Sequence, residues 1–248
     1  MKSLSQHISQ VKTLHSLNNF IKEAFNFRIN RDSAKNTYSY SPKTTDELKQ
    51  IIQDHYDNNI YNLNDIDVSH ITDFSKIFLD DENTGNPEFD VSKWDVSNGK
   101  IFEYMFNKCY NFNCDLSRWN VSSGINFKFM FSGCNNFNSD LSNWNVSNGK
   151  EFEFMFDRCN KFNADLSQWD VSNGKVFTNM FDGCKNFNSN LSQWDVSNGI
   201  VFTNMFYGCK KFNYDLSQWD VSKGVYFSDM FTDCTIKQEF KPKHEKIK

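Results

Sequence analysis

The sequence has little that points to a membrane protein or a secreted one. No run reaches the roughly 18 consecutive apolar residues that a membrane-spanning helix needs. Residues 1–20 contain neither a continuous apolar core nor a small-residue cleavage site, so the sequence predicts no secretory signal. We therefore expect a cytoplasmic protein without a membrane span.

Patterns typical of catalysis and metal binding are missing as well. The sequence has no Gly-rich phosphate loop, no His-Glu-X-X-His motif and no nucleophile elbow, and its five histidines are scattered. A recurring aspartate matches no calcium loop, because Asn190 interrupts its column, and we interpret it as a turn residue that binds its own backbone. Its copies include Asp115, Asp140, Asp165 and Asp215. We expect no enzymatic activity, no metal and no cofactor.

A strong charge of one sign is also absent. The 27 basic and 31 acidic side chains give a formal net charge of -4 at pH 7. This balance argues against a large non-specific nucleic-acid surface, and we expect no nucleic-acid partner. Apolar residues make up only 38% of the chain, but aromatic residues make up 17%, so a few large side chains must supply most of the burial.

What the sequence does have is a repeat of 25 residues. One copy runs from Trp94 to Arg118 and contains Trp-Asp-Val-Ser-Asn, Met-Phe, Cys, Phe-Asn and Asp-Leu-Ser. A fixed period of this size is the signature of a solenoid, in which each unit buries its apolar face only against its neighbours. The tryptophans that mark the six copies are Trp94, Trp119, Trp144, Trp169, Trp194 and Trp219.

A degenerate copy precedes these six. Residues 66–78 match the first part of the unit, with Ile66 in place of Trp and Ile77 in place of Met. Atypical copies of this kind are usual at the end of a stack, where the outer face meets something other than another repeat. The longer connection over residues 79–89, which contains a glycine and a proline, is predicted to be a surface loop.

Each repeat is predicted to fold as a strand, a turn, a helix and a return. Four apolar residues with the i, i+3, i+4, i+7 spacing of one helix face predict a short helix over residues 100–108. They are Phe102, Met105, Phe106 and Cys109. Around Trp119 and Val121, apolar and polar residues alternate as in a short extended segment.

Small and polar residues complete the unit. Gly99 and its equivalents either let the chain turn into the helix or let a neighbouring Phe approach the backbone. Ser97 and Asn98 are predicted to cap the helix start. The dipeptide Phe112-Asn113 recurs in later copies, which predicts a ladder of Asn side chains bonded to backbone groups beside a spine of Phe rings.

Six cysteines share one position of the repeat, and a seventh, Cys114, lies apart. An odd number of cysteines without a predicted signal fits reduced thiols, and the spacing matches no zinc pattern. We interpret the six as small buried hydrophobic side chains and not as metal or redox groups. They are Cys109, Cys134, Cys159, Cys184, Cys209 and Cys234.

The repeat unit resembles the BspA-like leucine-rich-repeat family, especially the 25-residue repeats of mycoplasma lipoproteins, a domain of unknown function. The resemblance covers about residues 66–234 and rests on the Trp-Asp-Val-Ser-Asn string, the Met-Phe pair, the Cys, Phe-Asn and Asp-Leu-Ser-X-Trp. It implies an α+β repeat solenoid, an LRR-like right-handed stack of 25-residue strand-turn-helix coils. Members are usually described as surface proteins with roles in adhesion or partner binding, so the resemblance implies no catalytic residues.

Two departures from the family pattern stand out. Family repeats commonly have Val where Gly99 stands and Met where Phe102 stands, so the larger ring is expected to fill the space that the missing Val leaves. The sequence also predicts no signal and no lipobox cysteine. In its leader, which contains Ser41-Pro-Lys-Thr-Thr-Asp-Glu-Leu, it resembles the signal-less members found in gut bacteria and their large bacteriophages. This resemblance implies a cytoplasmic or virion-associated protein.

The N-terminal region, residues 1–58, is predicted to be helical. Apolar residues at steps of three and four over residues 2–26 predict an amphipathic helix that packs on the solenoid, pairs with its own copy or lies on a membrane surface. Residues 26–43 are polar and are interpreted as a linker. The capping-box spacing from Thr44 to Glu47 predicts a second helix, which extends to about residue 57 and caps the first coil.

The solenoid is expected to span residues 59–236, and residues 237–248 form a basic tail. We interpret this tail as a solvated chain end. Ile236 and Phe240 either fold over the open edge of the last coil or leave that edge to another chain.

The candidate binding site is the position two residues after the inward-facing Phe of each repeat. On the predicted helix this position points away from the core, and aromatic side chains there predict an exposed apolar stripe of the kind found at interfaces. Alternatively, the N-terminal helix covers the stripe. The stripe consists of Tyr104, Phe129 and Phe154. The charged residues predicted to form its polar rim are Glu103, Lys128 and Glu153.

The sequence therefore predicts a non-enzymatic repeat scaffold that mediates protein–protein interaction. The alternative is a structural or assembly subunit, for example of a virion, that oligomerises through its N-terminal helix or its C-terminal edge. The expected partner is another protein or a second copy of the chain.

Overall fold

The computed structural model describes residues 38–247. The α-helix α1 spans Thr45–Asp57, and 3-10 helices span Glu82–Gly85 and Gln238–Phe240. The remaining described residues form turns and extended segments joined by isolated parallel β-bridges. The predicted amphipathic helix over residues 2–26 lies outside the described residues.

Helix α1 confirms the predicted second helix and its capping signal. Thr44 is the N-cap, and its hydroxyl accepts a hydrogen bond from the N–H of Glu47 at 3.1 Å. The helix lies against the degenerate repeat, where the Thr45 hydroxyl donates to the carbonyl of Asp73 at 2.7 Å. Leu48 and Ile52 are buried in the core, so α1 covers the apolar end of the stack.

The repeats lie one above another in the order of the sequence. Parallel bridges join each repeat to the next, and the degenerate copy takes part through Asp73 and Ile101. Two further bridges, Tyr40 with Ile66 and Asn62 with Asp90, lie at the start of the stack. The five bridges among the regular repeats pair residues 25 positions apart: Ile101 with Asn126, Asn126 with Glu151, Glu151 with Val176, Val176 with Val201, and Val201 with Tyr226. Equivalent side chains of successive repeats therefore form columns through the stack.

The predicted helix over residues 100–108 is wrong. The N–H of Met105 bonds to the carbonyl of Phe102, whereas the N–H of Tyr104 crosses to the carbonyl of Lys128 in the next repeat at 2.9 Å. Donors alternate in this way along the segment, so consecutive four-residue turns with i to i-3 bonds replace the i to i-4 bonds of a helix. Tyr104 and Lys108 have φ of 58° and 62°, which a right-handed helix excludes. Strand-turn-helix coils are therefore not what these repeats form.

The four apolar residues used to predict that helix are nevertheless all buried. Consecutive turns direct side chains toward the core at the same spacing as a helix would. The burial prediction is therefore confirmed, although the local structure differs. The buried residues are Phe102, Met105, Phe106 and Cys109.

Stacked aromatic rings fill the core. The centroids of neighbouring Trp rings lie 6.3 to 6.5 Å apart, with planes within 5° of parallel. Each indole N–H also donates to a backbone carbonyl 28 or 31 residues earlier in the chain; for example, Trp144 donates to Leu116 at 3.0 Å. Among residues 38–247, no buried side-chain nitrogen or oxygen lacks a hydrogen-bond partner. The core is therefore mostly apolar, and its buried polar side-chain atoms have hydrogen-bond partners.

The predicted asparagine ladder is confirmed. The side-chain oxygen of Asn113 accepts from the N–H of Asn138 at 2.7 Å, and Asn138 accepts from Asn163 in the same way. The ladder continues to Asn188 and Asn213. The Phe ring that precedes each Asn stacks on its counterpart at 5.6 to 5.9 Å, which forms the predicted spine.

The glycine after the Val-Ser-X tripeptide allows a phenylalanine ring to pack closely against the backbone. A Cβ atom on Gly99 would lie 2.5 Å from Cζ of Phe102, so only glycine leaves room for this ring. The predicted capping role of Ser97 and Asn98 is wrong, because no helix follows them. Instead, the side-chain amide of Asn98 donates to the carbonyl of Ser69 in the preceding repeat at 2.8 Å.

The loop after the degenerate repeat lies mostly at the surface, as predicted, whereas the C-terminal tail packs against the protein. In the loop over residues 79–89, Thr84 and Phe89 are buried. The C-terminal tail is not a solvated end: Ile236 is buried, and the carbonyl of Phe240 accepts from the N–H of Leu216 at 2.8 Å. The Lys246 ammonium donates to the carbonyl of Val225 at 3.2 Å. Residues 237–247 therefore fold back over the last repeat.

Candidate interaction groove

The aromatic stripe, defined as Tyr104, Phe129 and Phe154, lines an open groove of about 760 Å³ across three repeats. The Phe129 ring lies between the other two, 4.5 Å from the Tyr104 centroid and 4.4 Å from that of Phe154, with planes within 7° of parallel. All three side chains are half-buried. Because both faces of Phe129 are covered by its neighbours, this residue presents ring edges to the groove.

The stripe occupies backbone positions that suit other residues better. Tyr104, Phe129 and Phe154 have φ between 56° and 58°, the left-handed region in which bulky side chains are disfavoured. The same repeat position has the same conformation in the other three copies, where it holds Asn179, Asn204 and Asp229. Asn and Asp tolerate this region, whereas an aromatic residue costs about 1–2 kcal/mol there. Backbone stability therefore does not explain the aromatic residues.

A second left-handed position, four residues further on, shows a similar but less complete division. At the groove it holds Lys108 and Arg158, with φ of 62° and 57°, and Gly133 between them. Outside the groove it holds Gly183, Gly208 and Asp233, all of which tolerate positive φ. The long side chains at this position therefore lie in the half of the stack that contains the groove.

The structure does not place the predicted polar rim in the groove. Glu103, Lys128 and Glu153 are absent from its lining. The Lys128 ammonium bonds to Glu153 at 2.5 Å and approaches Glu151 at 3.4 Å, and the hydrogen bond to Glu153 raises the Lys128 pKa. These charges stabilise each other beside the stripe.

The polar lining comes from a repeat position that sequence reasoning missed. It holds Asn107, Ser132 and Asp157 in the three groove repeats. The Asn107 amide donates to the carbonyl of Ser132, and the Ser132 hydroxyl donates to the Asp157 carboxylate at 3.1 Å. Variation at this position was the available signal, since most other buried positions are the same in every copy.

Burial changes the acidity of the groove carboxylate. It raises the pKa of Asp157 to about 6, opposed by the hydrogen bond from Ser132. The neighbouring Asp182 carboxylate raises this pKa further, whereas Arg158, whose Nε lies 3.8 Å from Asp157, lowers it. Asp157 therefore changes charge at a higher pH than an ordinary aspartate.

Two exposed apolar side chains extend the groove toward the N-terminal end of the stack. Leu79 is 41% exposed and Tyr110 is 52% exposed. The Lys76 ammonium lies 5.7 Å from the Tyr104 ring centroid and covers that end of the stripe. At the other end the stripe meets Asn179, which is buried and donates to Asp182 at 2.6 Å.

The cysteine column offers no comparable site. All seven cysteines are free, and the thiols from Cys109 to Cys209 in the column are buried and donate to carbonyls of the preceding repeat at 2.8 to 3.1 Å. Burial raises the pKa of Cys109 to about 12. The prediction of small buried side chains is confirmed for these five, while Cys234 is half-buried.

Residues 38–247 lack two kinds of feature. No cluster of three or more His, Cys, Asp or Glu side chains in this part of the chain has a geometry that could hold a metal ion. None of its helices is both long and apolar enough to span a bilayer.

Comparison with known proteins places the chain in a family. A family model described as Mycoplasma protein of unknown function, DUF285, matches residues 46–167 and again residues 142–243. No curated protein and no solved structure matches the sequence. The two matches together cover most of the chain and both include the 25-residue repeats, in agreement with the predicted mycoplasma-type repeat. The chain belongs to the DUF285 family of mycoplasma-type proteins of unknown function.

Proposed function

We propose that this protein is a non-enzymatic repeat scaffold that binds another protein through the groove. The observation that carries the proposal is the aromatic stripe itself: three half-exposed rings at backbone positions where Asn or Asp costs less. Strained residues that persist at a surface are candidates for function. Aromatic side chains with exposed edges are also typical anchors of protein interfaces.

For the fold, the proposal is an LRR-like right-handed solenoid of the BspA-like type. The stacked repeats, the parallel bridges between them and the columns of identical side chains support a solenoid. The Trp-Asp-Val-Ser-Asn string and the unit length support the BspA-like branch. Turns take the place of the helix in each coil.

A second candidate function is assembly through the C-terminal edge of the stack. Within the stack, four backbone N–H groups of each repeat bond to carbonyl groups of the repeat that follows; at the junction of the last two repeats they belong to Phe202, Asn204, Phe206 and Gly208. Their equivalents in the last repeat have no hydrogen-bond partner among residues 38–247. These donors are the N–H groups of Phe227, Asp229, Phe231 and Asp233.

The polarity of this edge limits what it can bind. It presents N–H donors, and the Val225 carbonyl beside them already accepts from Lys246. Because these backbone groups are all donors, two copies of the edge cannot form hydrogen bonds to each other through them. Assembly through these N–H groups requires a partner that presents a row of carbonyl groups. The N-terminal helix of the assembly hypothesis lies outside the described residues.

The test of the groove uses full-length chains. The stripe variant combines Tyr104→Asn, Phe129→Asn and Phe154→Asn, which installs a residue already present at this position in two other repeats. The matched control is Tyr207→Asn, which also removes a half-exposed aromatic ring, but outside the groove. A library of random displayed peptides is selected on wild type, the stripe variant and the control.

We expect peptides that wild type and the Tyr207 control retain and the stripe variant loses. Retention of the same peptides by all three chains would show that binding occurs elsewhere and would refute the proposal. Light scattering after size-exclusion chromatography addresses self-association. A wild-type oligomer that persists in the stripe variant, but is lost when the last repeat is changed, would favour assembly through the edge.

A further inference from the structure

The charges that line the groove suggest what kind of partner it takes. Lys76, Lys108 and Arg158 contribute three positive charges and Asp157 one negative charge, so the lining carries a formal +2. The whole chain carries -4. A local excess of positive charge on an acidic protein attracts an acidic partner and repels a basic one.

These cations are available for a partner. Lys76 and Lys108 form no ion pair with any of residues 38–247, and the Arg158 side chain is 79% exposed, with its Nε 3.8 Å from Asp157. Lys108 and Arg158 stand two repeats apart, with Gly133 between them in the column. The two long side chains therefore flank a stretch of groove whose floor is the aromatic stripe.

The chain's own N-terminal segment is a poor match for this surface. Residues 1–37 contain six Lys and Arg and two Asp and Glu, a formal balance of 6 - 2 = +4. An amphipathic helix from this segment would bring more positive charge to a basic groove. The occupant is better sought in another molecule.

Ring geometry favours a peptide over a nucleic acid. Single-stranded nucleic acids bind aromatic residues by stacking bases on exposed ring faces. In the stripe, both faces of Phe129 are covered at 4.4 and 4.5 Å, and Lys76 lies over Tyr104. Ring edges in a row with Leu79 and Tyr110 instead suit aliphatic and aromatic side chains.

We propose that the groove binds a peptide segment in which an aliphatic or aromatic anchor is flanked by carboxylates. The anchor packs on the edges of the stripe, and the carboxylates pair with Lys108 and Arg158. Lys108 and Tyr110 also border an adjacent cleft that is lined by Asp80, Asp81 and Glu82. These carboxylates repel an acidic peptide, so its acidic residues lie over the groove and not beyond Tyr110. This inference rests on the proposed function and adds the chemistry of the partner.

The test compares the amino-acid composition of the peptides recovered in the selection. Peptides that wild type and Tyr207→Asn hold and the stripe variant loses should be enriched in Asp and Glu next to an apolar residue. A fluorescein-labelled synthetic copy of the leading peptide is then titrated by anisotropy. Replacing its carboxylates with amides, or combining Lys108→Gln with Arg158→Gln in the protein, should each weaken binding about tenfold at low salt and less at high salt.

The possible outcomes distinguish the inference about the partner's charge from the proposal that the groove binds a partner. Stripe-dependent peptides without an excess of acids, or with an excess of Lys and Arg, would overturn the charge inference and leave the groove as a binding site. A selection without any stripe-dependent peptide would overturn both. Stripe-dependent binding of a labelled single-stranded oligonucleotide, tighter than that of the acidic peptide, would replace the peptide with a nucleic acid.

Discussion

The ring of Phe177 occupies the space that a side chain on Gly174 would need. A Cβ atom on Gly174 would lie 2.5 Å from Cζ of Phe177 and 3.0 Å from the carbonyl oxygen of Val171. This pair stands at the two positions where the resemblance to BspA-like repeats implies Val and Met. One large residue fills the volume of two smaller ones, so the two positions must change together.

Gly174→Ala should therefore destabilise the fold by about 1–3 kcal/mol, because the methyl group overlaps a fully buried ring. Adding Phe177→Met should recover about 1 kcal/mol relative to the sum of the single changes, since a flexible side chain can yield the space. Urea unfolding followed by tryptophan fluorescence measures both. Gly183→Ala is the control: its cost comes from a φ of 69°, so Phe177→Met should not relieve it.

Phe127 and Phe129 should respond very differently to substitution, although they are two residues apart. Phe127 is fully buried and stacks on Phe102 and Phe152, so Phe127→Ala should cost about 3–5 kcal/mol. Phe129→Asn exchanges the partial burial of a ring for a better backbone fit and should change stability by no more than about 1 kcal/mol. Thermal unfolding of both variants provides the comparison. Equal losses would show that the stripe is part of the core.

Asp157 should make the protein less stable as pH rises. Its folded-state pKa of about 6 exceeds the ordinary 3.8, so the native state binds more protons than the unfolded state between these values. The associated stability is present below pH 3.8 and is lost as pH rises through 6. Asp157→Asn keeps an acceptor for Ser132 and should raise stability by about 1–2 kcal/mol at pH 7.5, with no gain near pH 3.5.

Unfolding midpoints measured across this pH range test the Asp157 prediction. Asp165→Asn is the control, because hydrogen bonds from Ser167 lower the pKa of Asp165. Asn190 already makes the same turn in the next repeat. An equal gain from both substitutions at pH 7.5 would mean that the effect is one of net charge and not of the groove carboxylate.

The thiols should divide into two classes. The five buried cysteines from Cys109 to Cys209 in the column should resist alkylation at pH 7.5, because burial keeps them protonated and covered. Cys114 and Cys234 are half-buried and should react slowly, since burial also raises their pKa. Mass spectrometry after iodoacetamide treatment counts the modified sites. Rapid labelling of Cys159 in the native protein would contradict the packed core.

The sequence alone predicts those structural features whose cause is local or strictly periodic. The start of α1 follows from the Thr44 hydroxyl and its own neighbours, and the Asn113 ladder follows from the repeat. The helix over residues 100–108 was predicted wrongly because its apolar spacing also fits two consecutive turns. What decides between them is the N–H of Tyr104, which bonds to a residue in the next repeat.

The site was found in part for a related reason. Variation at the position of Phe129 marked the stripe, although the helix used to orient it does not exist. Asp157 and Arg158 went unnoticed because their place in the groove depends on left-handed turns that the sequence pattern does not reveal. Lys128 does not line the groove, and its side chain pairs with Glu153 of the next repeat.

The backbone bonds between repeats have an evolutionary consequence. Each junction from Phe102 to Phe202 uses the same alternating donors and acceptors, so loss or duplication of one whole unit joins two compatible faces. Because the groove occupies the repeats that begin at Trp94, Trp119 and Trp144, the later repeats can change in number without altering it. Length and recognition can therefore evolve separately in this chain.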